Sequence, residues 1–471
     1  MQEFRPIPNP YITGNPVRGR EVFFGREDDF AYVRQRLIAE RHGIVMLFVG
    51  ARRSGKTSIM FQILEGRLEE EFLPIFIDMQ LLAGVSGDRE FFARVAELTV
   101  EGLKDERLVL EYYDFSQGNP VLAFDRLLND IGQIFPDKRL IFLVDEAEIL
   151  RDKVQDGELS GAVLNYMASI LESRRVSFCF TGSQGLGEAP GAEWRRLVGK
   201  GERREISFLS QGDCLRLVQE PVAGYASYGE GVFEAIYDLT YGQPFYTQVI
   251  CTNVVDYLNG VRRNHLEKED LDEVMRTIID NPPPQLIYQW DEFSQLEKIA
   301  LSLLSEESQE PDTFVSTEEM VESIEENGYP LDVKADALHV ALEGLYNRKW
   351  LERNQAGEYH IYMDLLRQWI RRSRSVWRLV EETEPRRKKV RLQVVAVAVL
   401  AVAAVGAGLW YAFRAGEEGM RVQQASQAPA PARGSIWVEA EPRDAQVIID
   451  GRVFTNRAPV MIPDLTPGTY T

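Results

Sequence analysis

The sequence predicts an α/β domain on a parallel sheet, followed by helical modules, one membrane-spanning helix and a small C-terminal β module. Three observations predict it. Between residues 40 and 205, short apolar runs alternate with helical periods, the pattern of a doubly wound sheet covered on both faces. Residues 210–376 change to mainly helical patterning. Residues 392–413 then run 22 positions without a charge, as many as a helix needs to cross a bilayer.

Composition agrees with this division. A chain of 471 residues is expected to hold two to four domains. Apolar residues at 45% and charged residues at 27% are ordinary globular material, which excludes collagen-like, disulfide-framework and wholly disordered chains. The net charge of −20 weighs against a general binder of nucleic acid or anionic surfaces. Three cysteines and four histidines form no paired spacing, so metal chemistry on thiol or imidazole ligands is not expected. All three cysteines fall in one stretch of the chain, which fits a reduced cytosolic compartment. The N-terminus lacks the apolar core of a signal peptide.

In chain order, residues 1–27 are an arm and 28–208 a core domain. Its strands are expected at 44–49 (IVMLFV), 73–79 (LPIFIDM), 140–144 (LIFLV) and 176–180 (VSFCF). Helical periods lie between them, as at 90–103 and 162–171. Residues 209–282 read as helical, ending at Pro282-Pro283-Pro284. A small helical domain with a two-strand element near 350–361 covers 285–376. The segment 377–391 is basic, with Arg386, Arg387, Lys388, Lys389 and Arg391 at its end. By the positive-inside rule this flank places residues 1–391 in the cytoplasm, the span at 392–413 in the membrane and the remainder outside. Residues 414–433 form a linker rich in Pro, Ala and polar residues. Beyond it, 434–471 alternate apolar and polar residues around Asp450-Gly451, a hairpin signal.

One motif carries chemistry. Gly50-Ala51-Arg52-Arg53-Ser54-Gly55-Lys56-Thr57-Ser58 follows the first strand directly and opens a helix. Glycines there let the backbone curl so that amides point at phosphate oxygens, and the helix N-terminus adds partial positive charge. Lys56 is expected to reach the β- and γ-phosphates, and Thr57 to offer its hydroxyl to Mg²⁺. About 90 residues on, the strand 140–144 ends in Asp145 and Glu146. Asp145 is suited to order the Mg²⁺ shell, and Glu146 to polarise an attacking water as a base. The strand 176–180 ends in Thr181-Gly182-Ser183-Gln184. Either Ser183 or Thr181 is placed to sense the γ-phosphate, and Ser183 joins Lys56 and Glu146 as the third candidate catalytic residue.

These motifs resemble the additional-strand, catalytic-glutamate class of P-loop NTPases. Within it, two features resemble the STAND and archaeal-type AAA ATPases. Asn9-Pro10-Tyr11 and then Phe23-Phe24-Gly25-Arg26-Glu27 are similar to their F-[FV]-G-R-E box; by that resemblance Phe24, Gly25 and Arg26 lie near the adenine. Leu239 to Phe245, with Gly242-Gln243-Pro244, is similar to their lid signature, and the resemblance places Pro244 against the base. It covers about residues 9–376, with a winged-helix-like domain at 285–376. Thr181-Gly182-Ser183-Gln184 stands where many STAND members carry an arginine, and Arg195, Arg196, Arg203 and Arg204 give no assignable arginine finger. Residues 434–471 resemble a PEGA domain through Pro442, Ala445, Ala458-Pro459 and Pro467-Gly468-Thr469-Tyr470. The chain ends where that resemblance calls for another strand, so a longer protein is expected.

The first reading is a membrane-anchored, cytoplasmic switch that binds and slowly hydrolyses Mg²⁺-ATP. Outer modules gathered at a surface ligand would cluster its heads, and a homo-oligomer is expected. A DNA-binding ATPase is the second reading. Residues 291–370 hold 18 acidic and six basic residues, the wrong sign for tracking phosphates. A nucleotide-binding membrane adaptor without turnover is the third; the intact Lys56, Thr57, Asp145 and Glu146 argue against it.

Overall fold

The computed structural model describes residues 4–39, 42–173, 176–188 and 190–382, with strand segments 434–438, 446–449, 452–457 and 460–465. The chain divides into two compact units, Met1–Glu384 and Pro385–Thr471.

In the first unit, β1 (Val45–Val49), β2 (Phe72–Asp78), β3 (Arg139–Asp145), β4 (Val176–Gly182) and β5 (Glu202–Glu205) form one sheet in the order β2-β3-β4-β1-β5. Every neighbouring pair is parallel. β1 and β4 are buried throughout and β3 in all but its first residue, which is why each reads as an unbroken apolar run. The connecting helices are α1 (Glu27–Ala39), α2 (Lys56–Gln62), α3 (Asp88–Leu103), α4 (Pro120–Ile134), α5 (Ala147–Gln155), α6 (Gly161–Ser173) and α7 (Ala192–Val198). Strand periodicity sorts the two covering layers. Met46 and Phe48 pack with Phe30, Val33 and Leu37 of α1 and with Ile59 and Met60 of α2. Val45, Leu47 and Val49, one step out of phase, join the core of α3 to α7. Because β4 lies between β3 and β1, the chain leaves these three strands at one edge of the sheet, where ligands of open α/β folds bind.

The strand β5 was not foreseen. Its sequence, Glu-Arg-Arg-Glu, has no apolar residue, and Arg203 and Arg204 read instead as part of a solvated basic face. They occupy a sheet edge in register with Leu47 and Phe48. Edge strands tolerate charge because only one side is paired.

The helical segment contains α8 (Gln211–Gln219), β6 (Ser227–Tyr228), α9 (Val232–Thr240), α10 (Pro244–Val261), β7 (His265–Leu266) and α11 (Asp270–Asp280). The pair β6–β7 is parallel and only two residues long, too short to leave a sequence signal. The expected break at the prolines does occur. Pro284 then opens α12 (Pro284–Glu292), at a position where a missing N–H leaves nothing unpaired. Next come α13 (Gln295–Glu307), α14 (Thr317–Glu326), α15 (Ala335–Asn347), β8 (Glu352–Arg353), β9 (Tyr359–His360) and α16 (Asp364–Ser373). β8 and β9 pair antiparallel, and a bridge joins Val315 to Tyr359.

The helical segment 209–282 and this module share one apolar core, which also takes in Ile7 and Tyr11 of the arm. Tyr241, beside the lid signature, donates its hydroxyl to Glu352 of β8 and packs its ring 4.8 Å from Tyr362.

In the second unit, β10 (Gly434–Val438) runs antiparallel to β13 (Val460–Leu465), and β11 (Gln446–Ile449) antiparallel to β12 (Arg452–Arg457). Among the described residues no helix is long and apolar enough to cross a membrane. The expected span at 392–413 lies outside them, as do the linker at 414–433 and residues 383–391 of the basic segment.

Candidate nucleotide site

After β1 the chain turns at Gly50, where a side chain would meet the Ile206 carbonyl oxygen at 2.5 Å. Gly55 has φ +99° and stands immediately before α2, a conformation that suits glycine. The amides of Lys56, Thr57 and Ser58 open α2, so geometry denies them intrahelical partners and directs them into the loop. The Ser54 hydroxyl is buried within this turn with no partner among the described residues.

Lys56 donates from Nζ to the carbonyls of Gly50 at 3.0 Å and Ala51 at 2.8 Å. Burial pushes its ammonium down to about 8, against the pull of Glu148, Asp145 and Glu146. Thr57 Oγ1 donates to Asp145 Oδ2 at 2.9 Å. Thr181 Oγ1 donates to the other oxygen of the same carboxylate and accepts the Glu146 amide at 3.0 Å. The Asp145 carboxyl is raised by burial and held back by these two hydroxyls. A threonine hydroxyl beside a buried carboxylate is a hard-oxygen donor set, which fits Mg²⁺. Among the described residues no group of three or more His, Cys, Asp or Glu could hold a metal. A magnesium ion at Thr57 and Asp145 would therefore complete its shell from nucleotide oxygens and water.

Glu146 follows Asp145 with φ +52° and ψ +53°, a left-handed conformation uncommon for a residue with a Cβ. It is half-buried and heads α5. Ser183 is exposed. Its contact with the site comes from its backbone amide, which donates to Glu148; the hydroxyl gathered beside Asp145 is that of Thr181.

Neighbouring segments lock the loop. Arg26 donates from Nη2 to the carbonyls of Ser54 at 2.8 Å and Ser207 at 2.7 Å, bracing the loop from behind. Its guanidinium also lies 3.6 Å from Asp29. Gly25, at φ +68°, leaves no room for a Cβ, which would stand 2.7 Å from the Asp213 carboxylate. Phe24 packs among Val17, Val22, Leu209, Cys214 and Leu217, so its ring joins the arm to the helical segment that starts at 209. The Ser58 hydroxyl accepts the Val17 amide at 3.0 Å.

The helical segment holds the loop from the other side. Arg53 lies over the Phe245 ring at 4.6 Å, directly after Pro244, the first residue of α10. Gln243 approaches the Arg52 and Arg53 carbonyls at 3.4 Å each. Arg52 pairs with Glu292 of α12 at 2.6 Å and covers Tyr288 at 5.2 Å.

The structure thus brings together Gly50 to Thr57, Asp145, Glu146 and Thr181, with Arg26 behind the loop and Gln243-Pro244-Phe245 beside it. Sequence reasoning missed Glu148 and Glu292, which belong to no motif. The clustered arginines have partners within the chain: Arg203 with Glu188 at 3.1 Å and Gln184 at 2.9 Å, and Arg204 with Asp29 at 2.6 Å. Arg196 reaches Asn165 at 3.3 Å.

Neither a scan against protein-family models nor a search of curated proteins gives a match. Solved structures do. A Walker-type ATPase of Pyrococcus abyssi superposes with a TM-score of 0.52 at 16% identity, covering 76% of this chain and 99% of that one. The ORC2 protein of Aeropyrum pernix, solved as ADPNP–ADP complexes, gives a TM-score of 0.52 at 13% identity, covering 80% and 98%. At these identities the likeness speaks for the fold. This chain shares its fold with these two proteins.

Proposed function

We propose that this chain is a membrane-anchored ATPase of the AAA and STAND kind, working as a nucleotide-dependent switch. The observation that carries the reading is the convergence of Lys56, Thr57, Asp145 and Glu146 at one sheet edge. A nucleotide would lay its β- and γ-phosphates along the loop amides, with Lys56 turned from its carbonyls to the phosphate oxygens. Bound Mg²⁺, held by Thr57 and Asp145, would neutralise charge on those oxygens. Glu146 takes a proton from water as the water oxygen bonds to the γ-phosphorus; the bond to the β,γ-bridging oxygen breaks, and ADP leaves with that electron pair.

The contacts suffice for a switch. Charge-assisted bonds to the γ-phosphate contribute about 1.5–3 kcal/mol each, and inverting a 1:99 equilibrium takes about 5.5 kcal/mol. Two or three contacts reach that figure. Arg52 and Arg53 suggest where the change is felt, since they join the phosphate loop to α12 and α10.

For the full chain we expect Mg²⁺-dependent release of phosphate from ATP, abolished by EDTA and restored by excess Mg²⁺. Phosphate release that ignores chelation, or none at all with nucleotide bound, would refute the hydrolytic reading.

Anchoring is supported by the uncharged run at 392–413 and its basic flank, and a PEGA-like outer module by the motifs in 434–471. Carbonate at high pH is expected to leave the chain in the membrane pellet, and deletion of 392–413 to release it; extraction of the intact chain would dismiss the anchor. A DNA-binding reading is disfavoured by acidic residues 291–370 and by a wing packed on the lid through Tyr241 and Glu352.

A further inference from the structure

Glu148 stands two residues beyond the candidate base, within the first turn of α5. Its carboxylate accepts the Ser183 amide and lies against the Cα of Gly182. A Cβ at 182 would sit 2.6 Å from both Glu148 oxygens. Gly182 ends β4 and Ser183 begins the loop that follows it. One carboxylate therefore ties the chain leaving β3, which carries Asp145 and Glu146, to the chain leaving β4, which carries Thr181. The next residue is held from the far side: Gln184 donates to Glu205 at 2.9 Å and accepts Arg203 at 2.9 Å. Glu146 itself sits in a left-handed conformation, which persists only when its surroundings over-determine it. Helix α5, anchored through Glu148, supplies part of that determination.

We propose that Glu148 is a positioning residue that sets the spacing of the β3 and β4 loops, so that Glu146 and Thr181 meet the γ-phosphate and its attacking water together. The proposal rests on the hydrolytic reading above. Glu148 acts through the Ser183 amide. Its charge also lies close enough to Lys56 to favour the ammonium, so a competing role in holding that cation must be separated from the brace.

Three variants do so. Glu148→Gln keeps an oxygen that accepts the Ser183 amide and removes the charge. Glu148→Ala removes both. Gly182→Ala leaves Glu148 in place chemically and pushes its carboxylate aside. With wild-type and variant chains of matched thermal stability, Glu148→Ala is expected to lower kcat by about 10²-fold with KM for ATP little changed, the scale of effect expected for an ångström of misplacement. Glu148→Gln is expected to restore kcat to within about fivefold of wild type, in keeping with a neutral bond replacing a charged one. Gly182→Ala should behave like Glu148→Ala, and the double variant should be no worse than either, because the two changes break one contact. Amide hydrogen exchange gives a readout independent of turnover: Ser183 should lose protection in Glu148→Ala and keep it in Glu148→Gln.

Multiplicative losses in the double variant overturn the brace. So does a raised KM with unchanged kcat in Glu148→Gln, which would assign the carboxylate to Lys56. If the wild type itself fails to turn over ATP, the hydrolytic reading fails, and the exchange of Ser183 alone decides whether Glu148 braces the loop.

Discussion

Replacing Glu146 with glutamine is expected to lower ATP turnover by about 10²–10⁴-fold while leaving nucleotide affinity within a few-fold of wild type, the range for loss of a positioned general base. The geometry makes this substitution a clean one. Glu146 is fixed through its backbone, by its amide on Thr181 and by the helix it heads, and glutamine preserves shape at both. What disappears is the proton acceptor. Asp145 does not replace it: its oxygens already take the hydroxyls of Thr57 and Thr181, and a carboxylate so engaged is poorly placed to receive another proton. Single-turnover phosphate release and equilibrium binding of a fluorescent ATP, measured together, separate the two quantities. Turnover that survives within tenfold would show that the water is activated elsewhere. Weakened binding would show that Glu146 serves the ground state.

The sequence made legible what is local or continuous. β1, β3 and β4 stood out because burial on both faces demands uninterrupted apolar residues, and the loop of Gly50 to Thr57 because its parts are contiguous. Asp145 was legible as the end of such a strand. β5 was hidden because an edge strand tolerates Glu-Arg-Arg-Glu, so the same arginines read as surface charge. Contacts spanning long stretches of chain were hidden altogether: Arg26 on Ser54 and Ser207, Arg52 on Glu292 across 240 positions, and Tyr241 on Glu352. Each joins ordinary surface-type residues that no spacing rule relates. Ser183 and Thr181 illustrate the limit most directly. Two hydroxyls two residues apart at a strand end are equivalent in sequence, and alternation would put both on one face, but β4 ends at Gly182: Thr181 is still in the strand and buried beside Asp145, whereas Ser183 begins the loop and is exposed. Where a strand ends within a polar stretch is not written in its spacing, whereas the body of β1 was readable because both of its faces are apolar.

Lys56→Met is expected to act in opposite directions on binding and on stability. The side chain is half-buried, its hydrogen-bond partners among the described residues are the Gly50 and Ala51 carbonyls, and desolvation lowers its ammonium from 10.5 to about 8. Between those two values the unfolded chain holds a proton that the folded state has released, so stability rises with pH across that window. Below about 8 both states are charged, and the folded protein carries the full desolvation penalty at neutral pH. Methionine keeps most of the aliphatic stem and removes the charge. Folding at pH 7 is therefore expected to gain about 1–3 kcal/mol, the free-energy equivalent of one to two pKa units, less what is lost where the Gly50 and Ala51 carbonyls give up their donor. The melting temperature without nucleotide should hold or rise. Nucleotide binding should move the other way, weakening by about 10²-fold as charge-assisted bonds to two phosphates are lost. Calorimetric melting with and without Mg²⁺-ATP tests both halves at once, because a ligand that binds only the folded state raises its melting temperature by mass action. The wild type should show a large nucleotide-induced rise from a lower starting point, and the variant a small rise from a higher one. A variant that melts lower than wild type in the absence of nucleotide would mean that the ammonium stabilises the loop on its own. The lysine would then be a structural element first and a phosphate ligand second.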